Sequence, residues 1–165
     1  MDYKDILYSL DDGLAIVTLN RPSKMNALTG QMRAEITHAL KQAAGEARAV
    51  VLTGAGGAFC SGQDLSDASG SGSLDLERTL RDEYTPMLEA LYDCPVPTMA
   101  AVNGPVAGAG ANPATAPDVV IATEGGYFYH AFERIGTTPA AGGTWFVPSE
   151  VGLVKEMGAA LIAEK

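Results

Sequence analysis

An α/β fold is predicted by three features of the chain. Short apolar runs bounded by glycine or turn residues recur at AVVLTG (49–54), TMAAVNG (98–104) and DVVIAT (118–123), the length and composition of buried strands. Apolar residues recur at helical spacing over 30–44 and 74–92. Glycine-rich loops join the two kinds of segment. Strands that alternate with helices in this way read as βα units, not as a sandwich or a bundle.

Each element has a local cause. Residues 5–10 and 13–20 are predicted strands around Asp11-Asp12-Gly13, an Asp-Gly hairpin signal. In the second, Leu14, Ile16, Thr18 and Asn20 alternate with Ala15, Val17 and Leu19. Both sets are largely apolar, which predicts a sheet covered on both faces. Thr29 is the expected N-cap of the helix over 30–44, with Met32, Ile36, Ala39, Leu40 and Ala43 on one face and Gly45 as its stop. SDASGSGS (66–73) reads as a flexible linker. Leu76, Leu80, Tyr84, Met87, Leu88 and Leu91 mark the next helix, with Asp75 and Glu77 at its positive end and Cys94-Pro95-Val96-Pro97 after it. A short helix to about 116 follows PVAGAGA. Beyond strand 118–123 come a mixed segment (127–138), a glycine pair at 142–143 and a helical pattern over 152–163.

The chain has 165 residues, 47% of them hydrophobic and 19% charged, which fits one globular domain over 1–165 with a core of its own. Twenty acidic against 11 basic residues give a formal charge of -9, with the basic residues scattered singly. That balance argues against nucleic acid, which needs concentrated Lys and Arg, and against an anionic membrane surface. No apolar run approaches the ~18 residues of a spanning helix, and MDYKDILYSLDDG lacks the pattern of a signal peptide. Cys60 and Cys94 have neither CxxC nor metal-type spacing, so two free thiols in a reducing cytoplasm are expected, with no metal.

Two glycine-rich loops that follow strands, 54–64 and 104–110, are the candidate binding elements. Ligands of α/β sheets bind beyond the C-terminal strand ends, where glycine lets backbone N–H groups approach closely. Gly54-Ala55-Gly56 and Gly108-Ala109-Gly110 each begin like GxGxxG, but the third glycine position holds Phe59 in one and Pro113 in the other. No P-loop and no GxSxG occurs. His38 reads as a surface residue, and Cys60 as a small buried filler.

Five segments, in order and across nearly the whole chain, resemble the enoyl-CoA hydratase/isomerase (crotonase) family. They are GLAIVTLNRPSKMNAL (13–28), VVLTGAGGAFCSGQDL (50–65), CPVPTMAAVNGPVAGAGA (94–111), DVVIATEGGYF (118–128) and GTTPAAGGTWFVPSEVG (136–152). The GAGA and PxxGGTWF wording is similar to the phenylacetate-degradation isomerase branch. The resemblance implies a spiral of ββα turns and an acyl-CoA thioester substrate, with coenzyme A entering only as part of that substrate. It implies that the backbone N–H groups of Gln63 and Ala109 polarise the thioester carbonyl, as fixed amide dipoles stabilise an enolate oxygen. It places Lys24 and Ala27 on the phosphate and pantetheine side, Ala58, Cys60, Asp64 and Leu65 around the adenine, and Gly108 in the turn beside the carbonyl. Family members are trimeric, through C-terminal helices that also close the pocket. The expectation here is a ββα core without that region.

Departures from the family pattern shape the functional expectation. The three positions that carry catalytic carboxylates in the family are Asn112, Phe132 and Ala140 in this chain. The remaining proton-transfer candidates are Glu133 and His130, with Asn112 left to position water or substrate. The alternative for that pair is a solvated Glu133-Arg134 and a surface Tyr129-His130. The sequence therefore predicts an acyl-CoA enzyme of weak activity; a non-catalytic scaffold of the same fold and a self-assembling domain are the alternatives.

Overall fold

The computed structural model describes residues 2–67, 75–130 and 132–162. Strands β1 (Ile6–Asp11) and β2 (Leu14–Leu19) form the predicted hairpin, with Asp12 at φ 44° and Gly13 at φ 77°. Positive φ at both central residues matches the right-handed strand twist, which is why Asp-Gly is selected there. Helix α1 (Gly30–Glu46) starts as expected. The Thr29 hydroxyl accepts from Met32 N–H at 3.0 Å and donates to Asp5 at 2.8 Å. Gly45 is not its stop: it lies inside the last turn with nothing near its missing side chain, and the helix continues to Glu46.

Strand β3 (Ala49–Gly54) follows. Helix α2 (Leu76–Thr79), a π turn (Leu80–Tyr84) and helix α3 (Thr85–Tyr92) replace the single helix expected over 74–92, with the Asp75 carboxylate accepting from Arg78 N–H. Next come β4 (Thr98–Val102), β5 (Val106–Ala107), a 3-10 turn (Gly108–Gly110), α4 (Ala111–Thr115), β6 (Val119–Ala122) and β7 (Phe128–Tyr129). Helix α5 (Gly143–Val151) has no sequence forecast, because the glycine pair and Pro148 hide its period; α6 (Leu153–Ile162) fills the last predicted segment. The linker proposed for 66–73 lies outside the described residues from 68 onward, while Ser66 and Asp67 are bonded to Asp64 and Gly30.

Among the described residues the main sheet has the order β1-β2-β3-β4-β6, antiparallel at the hairpin and parallel elsewhere, and β5 pairs in parallel with β7. One face is closed. Ala15, Val17, Leu19, Leu52 and Ala100 pack there against Met32, Ile36, Leu40 and Ala43 of α1 and Met87 and Leu91 of α3. The other face is not covered as the sequence suggested, since Leu7 is 54% and Ile121 57% exposed. β-branched and leucine residues on that face imitate a two-sided pattern while Leu7 and Ile121 stay exposed.

The returning strand ends are stitched by Asn26, which is fully buried and has φ 54°. Its side-chain amide donates to Ala55 O and Ala58 O, both at 2.9 Å, and its Oδ1 accepts from Arg21 N–H at 2.9 Å. Asn tolerates the left-handed region better than most residues. Asn26→Ala would take these partners from Ala55 O and Arg21 N–H, leave Ala58 O with only the 3.4 Å bond from Asn103 Nδ2, and keep the strain. It should destabilise by about 3 kcal/mol, lowering the melting midpoint by roughly 6–12 °C in a thermal unfolding experiment.

Candidate functional site

The two glycine-rich loops meet at the C-terminal ends of β3 and β4. Cys60 and Val106 form a parallel bridge, Ala107 N–H donates to Cys60 O at 2.9 Å, and Phe59 N–H donates to Pro105 O at 3.1 Å. Two glycines permit this approach. A Cβ on Gly104 would stand 2.3 Å from Gly57 O, and one on Gly110 2.7 Å from Cys60 O and 2.8 Å from its Sγ. On the other side, Leu28 bridges Gln63, with Leu28 N–H donating to Gly62 O at 2.7 Å and Asp64 N–H to Leu28 O at 3.0 Å. In that pairing the Gln63 N–H points away from the partner strand.

Between the loops lies a cavity of about 190 Å³ lined by Gln63, Leu65, Gly108, Ala109, Phe132 and Ile135, among others. Among the described residues neither the Gln63 N–H nor the Ala109 N–H has an acceptor outside its own element. Ala109 is the second residue of a 3-10 turn, and the first N–H groups of a helical turn have no acceptor within it. A Cβ on Gly62, whose φ is 94°, would fall 3.2 Å from Ala109 N. Two free backbone donors thus share one small cavity, the arrangement that can bind an oxygen on which negative charge develops.

The Gln63 side chain runs away to a buried cluster. Its Oε1 accepts from Arg33 Nη1 and from Tyr84 O–H, both at 2.8 Å, and its Nε2 donates to Asp64 O at 3.2 Å. Arg33, 2% exposed, also donates to Leu28 O and is paired with Glu83. Neither Asn26 nor the Arg33–Tyr84 cluster was assigned from sequence. The available signal for Arg33 was a charge three residues before Ile36 and seven before Leu40, on the apolar stripe of α1.

The residues expected around coenzyme A take different positions. Lys24 is exposed in a 3-10 turn (Pro22–Lys24) whose carbonyl accepts from Ser61 Oγ at 3.2 Å, so the two loops are neighbours. Ala27 and Ala58 are buried, with carbonyls committed to Arg21 and Asn26. Leu65 is 71% exposed on the cavity rim. Asp64 is buried, with Oδ1 accepting from Ser66. The Ser66 hydroxyl and the Arg21 guanidinium, 2.8 Å away, hold its carboxyl down at about 2. The side chain of Cys60 cannot reach a ligand. It is fully buried, donates to Asn26 O at 3.2 Å, and burial pushes its thiol up to about 12, which supports the filler reading.

The proton-transfer candidates divide. Phe132 lines the cavity, and Glu133 beside it is partly buried, 3.7 Å from Arg134 and with Oε2 lacking a partner among the described residues. Asn112 is buried and donates to Ala140 O at 3.0 Å, so two of the three family carboxylate positions touch each other. His130 departs from both sequence readings. It is 3% exposed, not at the surface, and it lines a separate cavity of about 390 Å³ with Glu156, 3.5 Å away. His38 is exposed as expected and shares a hydrogen bond with Tyr3 O–H. Among the described residues no group of three His, Cys, Asp or Glu side chains gathers to hold a metal, and no helix is long and apolar enough to cross a membrane.

Burial raises the Glu156 carboxyl above its ordinary value, with His130 opposing, and among the described residues neither of its oxygens has a hydrogen-bond partner. A carboxyl raised in the folded state binds more protons folded than unfolded, so its contribution to stability is lost as pH rises out of the acid range. Glu156→Gln should therefore stabilise near pH 7 by about 1 kcal/mol and bring no gain near pH 4. Urea midpoints at the two pH values check this.

The family model described as Enoyl-CoA hydratase/isomerase matches residues 9–165. A probable enoyl-CoA hydratase of Rhodobacter capsulatus is 58% identical over 165 residues, which are all of this chain and 64% of that protein. The 1,2-epoxyphenylacetyl-CoA isomerase of Escherichia coli K12 is 38% identical over 165 residues, 97% of this chain and 63% of that protein. The solved structure of an enoyl-CoA hydratase from Mycobacterium avium subsp. paratuberculosis K-10 superimposes with a TM-score of 0.90 at 34% identity, covering 100% of this chain and 66% of that one. The chain thus spans somewhat under two thirds of the length of these relatives. With a family model over nearly all of its residues, a 58% identical relative and the same crotonase-like α/β core, the chain belongs to the enoyl-CoA hydratase/isomerase family.

Proposed function

We propose that the cavity between the two glycine loops receives the thioester carbonyl of an acyl-CoA and stabilises the enolate formed from it. The carrying observation is the pair of unpartnered N–H groups, Gln63 and Ala109, on that one cavity. Negative charge grows on the carbonyl oxygen as a proton leaves the α carbon, and prealigned dipoles strengthen their hold as it does so. The exposed Lys24 answers the coenzyme A phosphates, while Ala27, Ala58 and Leu65 bound the pantetheine and adenine path and Gly108 leaves room beside the carbonyl. The reaction class is hydration or double-bond isomerisation of an enoyl-CoA. The likeness to the E. coli isomerase favours isomerisation and the phenylacetate-type branch.

Glu133 is the proton-transfer group of this reading, since His130 is turned into another cavity and Asn112 braces Ala140. Glu133 does not itself line the cavity, so turnover should be low. General acid–base catalysis contributes about 10²–10⁴-fold, and a rate at least 100-fold below the usual ~10 per second is expected. A second reading, a scaffold that keeps coenzyme A affinity without chemistry, draws on the side chains Asn112, Phe132 and Ala140, none of which transfers a proton.

Calorimetry with acetoacetyl-CoA and deuterium uptake from heavy water into a bound acyl-CoA separate the readings. Saturable one-site binding with slow exchange, abolished by Glu133→Gln, is the expected result. Binding with exchange at solvent background makes the protein a scaffold. Absence of binding at millimolar ligand, from a chain that melts cooperatively, overturns both.

A further inference from the structure

We infer that Arg33 and Tyr84 are positioning residues that hold the Gln63 amide on the cavity; this rests on the oxyanion reading given above. The backbone on either side of Gln63 is pinned to Leu28, which donates to Gly62 O and accepts from Asp64 N–H, while the Gln63 N–H itself has no partner among the described residues. A second hold comes from its side chain. Arg33 Nη1 and Tyr84 O–H converge on the one oxygen Oε1, both at 2.8 Å. Arginine only donates, so it also fixes which end of the Gln63 amide faces inward.

The two anchors are themselves locked together. The Arg33 guanidinium carbon lies 4.6 Å from the centre of the Tyr84 ring, its Nε donates to Glu83 Oε2 at 3.0 Å, and its Nη1 also donates to Leu28 O at 3.0 Å. Consecutive residues Glu83 and Tyr84 reach one guanidinium because they close the π turn Leu80–Tyr84, which widens the helix locally. Leu28 is the residue that bridges Gln63. A single buried cation therefore ties α1, the π turn and the Leu28 segment to the residue whose N–H the reaction would use. Tyr84 is 3% exposed, and neither Arg33 nor Tyr84 lines the cavity. Tyr84 reaches the cavity through Gln63, and Arg33 through Gln63 and through Leu28, whose backbone pairs with Gly62 and Asp64.

The test is the thioester carbonyl stretch of bound butyryl-CoA, labelled with carbon-13 at that carbonyl, measured by isotope-edited infrared spectroscopy on the full chain. The parent should shift the band to lower frequency relative to free ligand. Tyr84→Phe, which removes one oxygen from the core, should lose about half of that shift while butyryl-CoA affinity changes less than about threefold. Arg33→Met should lose more. In a Gln63→Met background, Tyr84→Phe should bring no further change, because the link it would break is already gone. An unaltered band in Tyr84→Phe, or equal effects of Tyr84→Phe in the presence and absence of Gln63, overturns the positioning role while leaving the oxyanion reading intact. A parent that binds butyryl-CoA without any shift overturns the oxyanion reading and the role of both residues with it. Should Arg33→Met fail to fold, Tyr84→Phe and the double variant decide alone.

Discussion

The site depends on a constraint in the chain that leaves β2. Asn26 turns back in a left-handed conformation, and its side chain replaces three backbone partners at once, holding Arg21, Ala55 and Ala58 within 2.9 Å. The turn 21–26 and the loop 55–58 are thereby given one geometry. The carbonyl of the same residue accepts from the Cys60 thiol, and Met25 O from Ser61 N–H, so the 60s loop inherits its position from this turn. A buried amide with every group satisfied rigidifies its surroundings, whereas the same position left half satisfied would be among the weakest points of the fold.

From that corner the architecture follows by close approach. Parallel strands β3 and β4 end side by side, and their loops cross where Gly104 lies on Gly57 and Gly110 on Cys60. At such distances no side chain is admitted. Main-chain donors then face the space between the loops, and the apolar residues Leu65, Phe132 and Ile135 border it. Main-chain dipoles held in this way need no reorganisation as charge develops, which is the physical advantage of building such a site from backbone.

Much of the fold was legible in the sequence because it is written locally. The Asp-Gly turn, the Thr29 cap and the strand 49–54 each depend on a few neighbouring residues. What was misread depends on tertiary partners. Gly45 ends no helix because it is not in the left-handed conformation of a C-terminal cap, and the apolar residues on the open face of the sheet obey strand propensity while Leu7 and Ile121 stay exposed. The candidate site was legible only through the order of its motifs. Gln63 and Ala109 line one cavity, whereas the burial of His130 against Glu156, 26 residues later, leaves no local trace. Arg33 and Tyr84, 51 positions apart, are invisible for the same reason.

The burial of Cys60 has a consequence for oxidative chemistry. Peroxide reacts with thiolates, and this thiol, pushed up to about 12, is almost wholly protonated in the physiological range. An added sulfenic oxygen would also have to enter where Gly110 already crowds the sulfur and where the thiol hydrogen is given to Asn26 O. A cysteine set among the loops of the site is thus chemically silent, and the crossing of those loops does not become a point of oxidative damage.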